Sequence, residues 1–300
     1  PDEYSALGDD NVYTNLMAAR NLAAAASLVP RYPEIMARLG VDDEEAASWR
    51  DAAATMYVPF DEELGVHPQH ESFTRYQEFD FASMDPEDYP LLLHVPYFQL
   101  YRTQVVKQAD LVLAMHWRGD AFTAEQKARN FAYYEARTVR DSSLSAATQA
   151  VVAAEVGHLD LAHEYLAETA LVDLRDVHHN TREGIHIGAA AGTWLALVAG
   201  FGGLRDHDGR LALAPRLPSR IDRLEFSIHW RELRLRVTVS PDEATYTLRD
   251  GGDDAQLELT HHGEPVAVRV GEPVSRPIPP PPPAGPPPRQ PPGRAPLRRP

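Results

Sequence analysis

Residues 194–213 read WLALVAGFGGLRDHDGRLAL, and the period of the chain changes inside this stretch. Ahead of Gly202-Gly203, from Asp10 to about Phe201, apolar residues recur at three- and four-residue spacing in alanine-rich segments broken by short Pro, Gly or Asp punctuation. That is the pattern of packed helices. Behind the glycine pair the segments are short and alternate in polarity, as strands with one buried face do. The sequence therefore predicts a mainly α protein followed by a small antiparallel β-domain.

Working outward, helices are expected over 11–28, 43–56, 97–115, 124–138, 144–156, 159–169 and 185–198. Their punctuation is visible: Asp10 before the first, Thr123 with Gln126 as a capping box, Ser142 or Ser143 before the fifth, Gly157 after it. Between Tyr57 and Pro96 the chain turns irregular, with His67, His70, Tyr76, Phe79, Phe81 and Tyr89 among many acids, which reads as a functional loop. Strands are expected over 211–213, 223–229, 232–240, 244–249 and 256–260, with turns at Asp208-Gly209 and Asp250-Gly251-Gly252. From about Glu272 the chain is rich in proline, carries Arg289, Arg294, Arg298 and Arg299, and has no further acid. It reads as a disordered tail of polyproline type, whose P-x-x-P spacings would also suit an SH3-like or WW-like partner. The expected organisation is a helical domain over 1–203, a β-sheet domain over 204–271 and the tail over 272–300.

Composition narrows the function. Three hundred residues at 43% hydrophobic content are enough for one large core or two smaller ones. Lys+Arg 29 against Asp+Glu 44 leaves a net charge of −15, which repels phosphodiester backbones and anionic membranes, so neither nucleic acid nor membrane is expected as a partner. The absence of cysteine removes disulfides, thiolate nucleophiles and cysteine-ligated metals together. No apolar run approaches the roughly 20 residues of a membrane helix, and no signal peptide is visible, so a cytoplasmic location is expected. The start Pro1-Asp2-Glu3-Tyr4, without an initiator Met, reads as a truncation.

Four clusters could carry chemistry. Asp2 and Glu3 stand just before a helix, where Glu3 is a general acid if buried and otherwise a cap. Lys107-Gln108 lies in an apolar stretch; Lys107 could pair with Asp110 on a helix face or, with Gln108, bind sugar hydroxyls. In Thr138-Val139-Arg140-Asp141-Ser142-Ser143-Leu144-Ser145, hydroxyls gather where a helix is about to start, which suits capping or an anion. In His178-His179-Asn180-Thr181-Arg182-Glu183-Gly184-Ile185-His186, a second helix begins after a glycine that admits a ligand to the backbone. The histidines lack H-x-x-x-H spacing on one face, so an anion or sugar contact by His186 fits better than a metal.

In order, these clusters resemble the maltose, trehalose and kojibiose phosphorylases of glycoside hydrolase family 65. The likeness runs from Pro1-Asp2-Glu3-Tyr4 and Tyr13-Thr14-Asn15 through Lys107-Gln108-Ala109-Asp110, Asp141-Ser142-Ser143-Leu144-Ser145 and Asp173-Leu174 to Gly184-Ile185-His186, Gly192-Thr193-Trp194 and Gly200-Phe201-Gly202-Gly203-Leu204. It implies the later portion of an (α/α)6 barrel, with a β-sandwich, a linker and the early barrel helices missing upstream. It implies Glu3 as the catalytic acid, Lys107 and Gln108 as glucosyl ligands, and Ser142, Ser143, Gly184 and His186 as the phosphate site. The reaction implied is inverting phosphorolysis of an α-linked glucose disaccharide, with inorganic phosphate as co-substrate, no metal and no other cofactor, in a homodimer. An inverting hydrolase of the same family is the rival, with Glu183 or Asp141 as its base; a noncatalytic helical interaction protein is a second. The chain as given is expected to be inactive, since part of the sugar pocket would be absent.

Overall fold

The computed structural model describes residues 2–5, 8–252 and 254–296. The chain forms two compact units, Pro1–Thr138 and Val139–Pro300. The division falls inside the segment expected to be one helical domain.

The first unit contains α1 (Val12–Leu28), α2 (Pro33–Leu39), α3 (Asp43–Ala54), the short α4 (Tyr97–Leu100), α5 (Asp110–Trp117) and α6 (Ala124–Glu135). The cap of α1 is Asn11, not Asp10: its side chain accepts the Thr14 N–H at 2.9 Å. The capping box at Thr123 and Gln126 forms as read, with both reciprocal bonds present. Helix α2 was not anticipated, although Pro33 in its first turn and Gly40 in the left-handed region at φ 75 are ordinary start and stop signals.

The helix expected over 97–115 is corrected. Helix α4 ends at Leu100, and Thr103–Gln104 (β2) pairs in parallel with Gln77–Glu78 (β1). Val105 and Val106 are fully buried, and the Val106 N–H bonds to Arg137 O at 2.9 Å. β-Branched side chains and an available main-chain partner override the helical period here. Lys107 and Gln108 consequently sit in the turn that enters α5. The irregular stretch behind them is anchored through His67: its N–H donates to Asn130 Oδ1 at 2.8 Å, and its carbonyl accepts the Tyr134 hydroxyl at 2.8 Å. Phe73 stacks on Tyr134 with ring centroids 5.8 Å apart, inside a core that also buries Tyr4, Leu100, Leu111, Met115 and Phe131.

The second unit opens with α7 (Ser145–Glu155), α8 (Leu159–Ala170) and α9 (Ile187–Leu195), the last continuing into a π-helical segment, Ala196–Phe201. The strands follow: β3 (Ala212–Leu213), β4 (Leu224–Trp230), β5 (Leu233–Val239), β6 (Glu243–Asp250), β7 (Gln256–His261), β8 (Glu264–Arg269) and β9 (Val274–Pro277). They make a four-stranded antiparallel sheet in the order β4-β5-β6-β9 and a three-stranded sheet, β3-β7-β8, in which β3 runs parallel to β7. Alternation decides the inner faces: Leu235, Val237, Val239, Tyr246 and Leu248 meet Leu257, Leu259, Val266 and Val268, with Val198 closing the cluster from the helical side.

Strands β8 and β9 were not read from the sequence. The link to β8 is a two-residue turn, His262-Gly263, with φ 49 and 89, the positive pair a tight hairpin requires. Strand β9 corrects the expected boundary at residue 272, because Val274–Pro277 pairs with β6 and completes the four-stranded sheet. Its edge position tolerates Pro277. Beyond it the described proline-rich residues are irregular but attached, against the expectation of a disordered tail: Gln290 Nε2 donates to the Tyr165 hydroxyl at 2.9 Å, and Arg294 bonds to Val139 and Asp141.

Candidate functional site

In the first unit, the segment bearing Glu3 and the turn bearing Lys107-Gln108 are joined by Asp2. The Asp2 carboxylate is almost fully buried, and its Oδ1 accepts the main-chain N–H of Lys107 at 2.9 Å and of Gln108 at 3.3 Å. Burial pushes the Asp2 carboxyl up to about 7, aided by the nearby Asp110 charge and opposed by the two N–H donors. Asp110, at the start of α5, is itself held by Asn11 Nδ2 at 2.8 Å. The capping residue of α1 thus also fixes the first turn of α5.

On this frame Lys107 forms an ion pair with Glu3, so the Lys107–Asp110 pair considered from sequence does not form. The Glu3 side chain is 60% exposed; the burial expected of a general acid is not supplied by this unit. Tyr4, next in line, is buried, and its hydroxyl accepts the Leu92 N–H at 3.0 Å. The first segment is therefore locked on both sides of Glu3 while Glu3 itself faces outward.

In the second unit, glycines set α7 against α9. A methyl group placed on Gly188 would stand 2.7 Å from Leu144 Cδ2, one on Gly192 would stand 2.5 Å from Ala147 Cβ, and one on Gly200 would stand 3.4 Å from Val151 Cα. Contact positions ascend together on both elements, so the two run parallel and begin side by side. Neither start has a side-chain cap: Leu144 and His186 occupy the cap positions without capping bonds. Two positive helix ends without side-chain caps therefore share one place, and the macrodipoles of both favour an anion there.

The sequence-predicted residues of this region gather around those ends. Ser142 does not cap α7; its Oγ accepts the Leu144 N–H at 3.3 Å. Ser143 lies beside it, half-buried, and the Ser145 hydroxyl is buried with no hydrogen-bond partner. His186 is held at two atoms by Asp173, whose Oδ1 lies 2.5 Å from Nδ1 and whose Oδ2 accepts the His186 main-chain N–H at 3.0 Å. These bonds hold the Asp173 carboxyl below the usual carboxylate range. They also orient the ring so that Nε2 faces away from Asp173. Gly184 adopts φ 129 with nothing within 4 Å of where a side chain would begin, so its backbone can be approached closely. Its own N–H is committed to Thr181 O at 3.1 Å. Burial lowers the His178 imidazole, 6.1 Å from that of His186, towards the neutral form. Among the described residues no group of three His, Cys, Asp or Glu side chains is placed to hold a metal.

Residues 1–195 match the glycosyl hydrolase family 65 central catalytic domain, and residues 204–268 match the C-terminal domain of the same family. The chain belongs to glycosyl hydrolase family 65. Among family 65 relatives, an uncharacterized glycosyl hydrolase of Mycobacterium leprae is 56% identical over 273 residues, covering 91% of this chain and 34% of the relative. An α,α-trehalose phosphorylase of Thermoanaerobacter brockii is 36% identical, over 91% of this chain and 36% of its own. A solved structure assigned as a kojibiose phosphorylase from human microbiome superposes with a TM-score of 0.80 at 27% identity, covering 92% of this chain and 38% of its own. The chain spans about a third of the length of the curated relatives it matches. No helix among the described residues is long and apolar enough to cross a membrane.

Two positioning residues of this family 65 chain escaped the sequence reading. In the sequence Asp2 reads only as a second acid beside Glu3; nothing local signals bonds to residues more than a hundred positions away. Asp173 stood in the matched Asp173-Leu174 pair without a role, and its partner His186 lies 13 residues on, across irregular chain.

Proposed function

We propose that the complete protein catalyses inverting phosphorolysis of an α-linked glucose disaccharide of the kojibiose, trehalose, maltose or nigerose type, releasing β-glucose 1-phosphate and glucose. The observation that carries this reading is the pair of uncapped, side-by-side starts of α7 and α9, lined by Ser142, Ser143 and Gly184 and by a His186 oriented through Asp173. That is a place for a phosphate oxyanion, and phosphate needs no carboxylate to activate it. Glu3 protonates the glycosidic oxygen as the carbon–oxygen bond breaks, while a phosphate oxygen bonds to the anomeric carbon from the opposite face. Lys107 and Gln108, fixed by Asp2, bind the glucosyl unit.

In this reading the helices are the later portion of an (α/α)6 barrel, as the match to the family's central catalytic domain and the 0.80 TM-score support. A cytoplasmic homodimer, with phosphate in place of any bound cofactor, belongs to the same proposal. Residues 1–300 alone are expected to be inactive. The hydrolase alternative loses one of its two candidate bases, since the Asp141 carboxylate is buried and occupied by Arg294. Release of glucose 1-phosphate from kojibiose, trehalose, maltose and nigerose, measured with and without phosphate, tests the proposal. Product formation is expected only with phosphate; equal glucose release in both conditions would sink it.

A further inference from the structure

The proline-rich segment that the site does not use ends on the turn that leads into it. Arg294 donates from Nε to Val139 O at 2.6 Å and from Nη2 to Asp141 Oδ1 at 3.1 Å. Arg140, between those two residues, donates in return from Nη2 to Arg294 O, while its Nε reaches Glu168 Oε1 at 3.1 Å. The clasp is extended by the Tyr165 hydroxyl, which takes Gln290 Nε2 at 2.9 Å and Arg140 Nη1 at 3.4 Å. Each guanidinium has a carboxylate, Glu168 for Arg140 and Asp141 for Arg294. What it fixes is conformation. Arg140 stands at φ 54, a left-handed setting that costs a non-glycine residue about 1 kcal/mol and persists only where surrounding bonds impose it. Asp141 follows it, and then Ser142 and Ser143, just ahead of α7.

We propose that the C-terminal segment is a strap that sets the phosphate-binding turn, with Arg294 as the positioning residue acting through Val139, Arg140 and Asp141. The proposal rests on the phosphate reading given above. Arg294 touches the turn and not the reacting atoms, so its loss misplaces Ser142 and Ser143 while leaving the sugar-binding residues as they were.

The test uses the complete protein with Arg294→Ala, Arg294→Lys and a stop after residue 288, each followed by melting temperature, kcat, and KM for phosphate and for disaccharide separately. Arg294→Ala and the truncation are expected to raise KM for phosphate about tenfold, the scale of lost charge-assisted bonds, with KM for disaccharide within about twofold of wild type. Lysine restores part of the effect, because it keeps the charge but not the two-pronged geometry. A wild-type enzyme indifferent to phosphate overturns both this proposal and the functional reading. A phosphate-dependent wild type with unchanged phosphate KM in Arg294→Ala overturns the strap alone. Should Arg294→Ala fail to fold, Gln290→Ala, which removes the bond to Tyr165, and Arg294→Lys decide: a raised phosphate KM supports the strap, and unchanged values in both overturn it.

Discussion

Asp2 holds the main-chain N–H of Lys107 at 2.9 Å across 105 residues of sequence, so the segment bearing Glu3 is tied to the turn bearing Lys107 and Gln108. Removing that carboxylate leaves the part-buried Lys107 and Gln108 N–H groups without their acceptor. Asp2→Ala in the complete protein is expected to lower kcat/KM for disaccharide roughly 10- to 100-fold, the range for lost bonds to a charged acceptor, while KM for phosphate stays near wild type. Asp2→Asn keeps an acceptor oxygen and should retain more activity than alanine. Equal activity of all three at saturating phosphate would count against the positioning role.

The same carboxyl gives a pH signature. Its folded value, about 7, lies above the ordinary 3.8. Below about pH 4 the folded and unfolded forms are both protonated and the contribution to stability is complete. As pH rises towards 7 the unfolded carboxyl ionises while the folded one does not, and stability is lost, on the order of a few kcal/mol in total. The melting-temperature advantage of wild type over Asp2→Asn is therefore expected to shrink between about pH 4 and pH 7. A gap independent of pH would show that the carboxyl titrates normally.

Asp173 orients His186 by two bonds, one to the ring and one to the main chain. Asp173→Asn retains the shape but removes the charge behind Nδ1 and permits the wrong ring orientation. KM for phosphate is expected to rise roughly tenfold, the usual cost of a lost charge-assisted orienting bond, and KM for disaccharide to stay within about twofold. Initial rates at varied phosphate and fixed saturating disaccharide make the distinction.

Gly192 and Gly188 separate packing from tolerance. A methyl group at Gly192 meets Ala147 Cβ at 2.5 Å, on a buried helix face that cannot yield, and Gly192→Ala is expected to cost about 1–3 kcal/mol and several degrees of melting temperature. At Gly188 the obstacle is the far end of Leu144, 54% exposed and free to turn aside, so Gly188→Ala should be close to neutral. Similar melting temperatures for the two variants would mean that α7 and α9 are not packed as described.

The sequence by itself determined the helix-to-strand change at Gly202-Gly203, the extents of α1, α6, α7 and α8 to within a few residues, and the motifs that place the chain in its family. These rest on periodicity and local caps, which act over a few residues and are legible there. Only the tertiary structure decided that Val105 and Val106 leave the helical period, that Lys107 pairs with Glu3 instead of Asp110, and that Ser142 does not cap α7. Strand β9 and the Arg294 clasp belong to the same class, since a proline-rich segment carries no pattern that announces its partners. The physical reason is common to all of them: main-chain and carboxylate partners supplied from distant sequence outweigh local propensities worth a few tenths of a kcal/mol per residue.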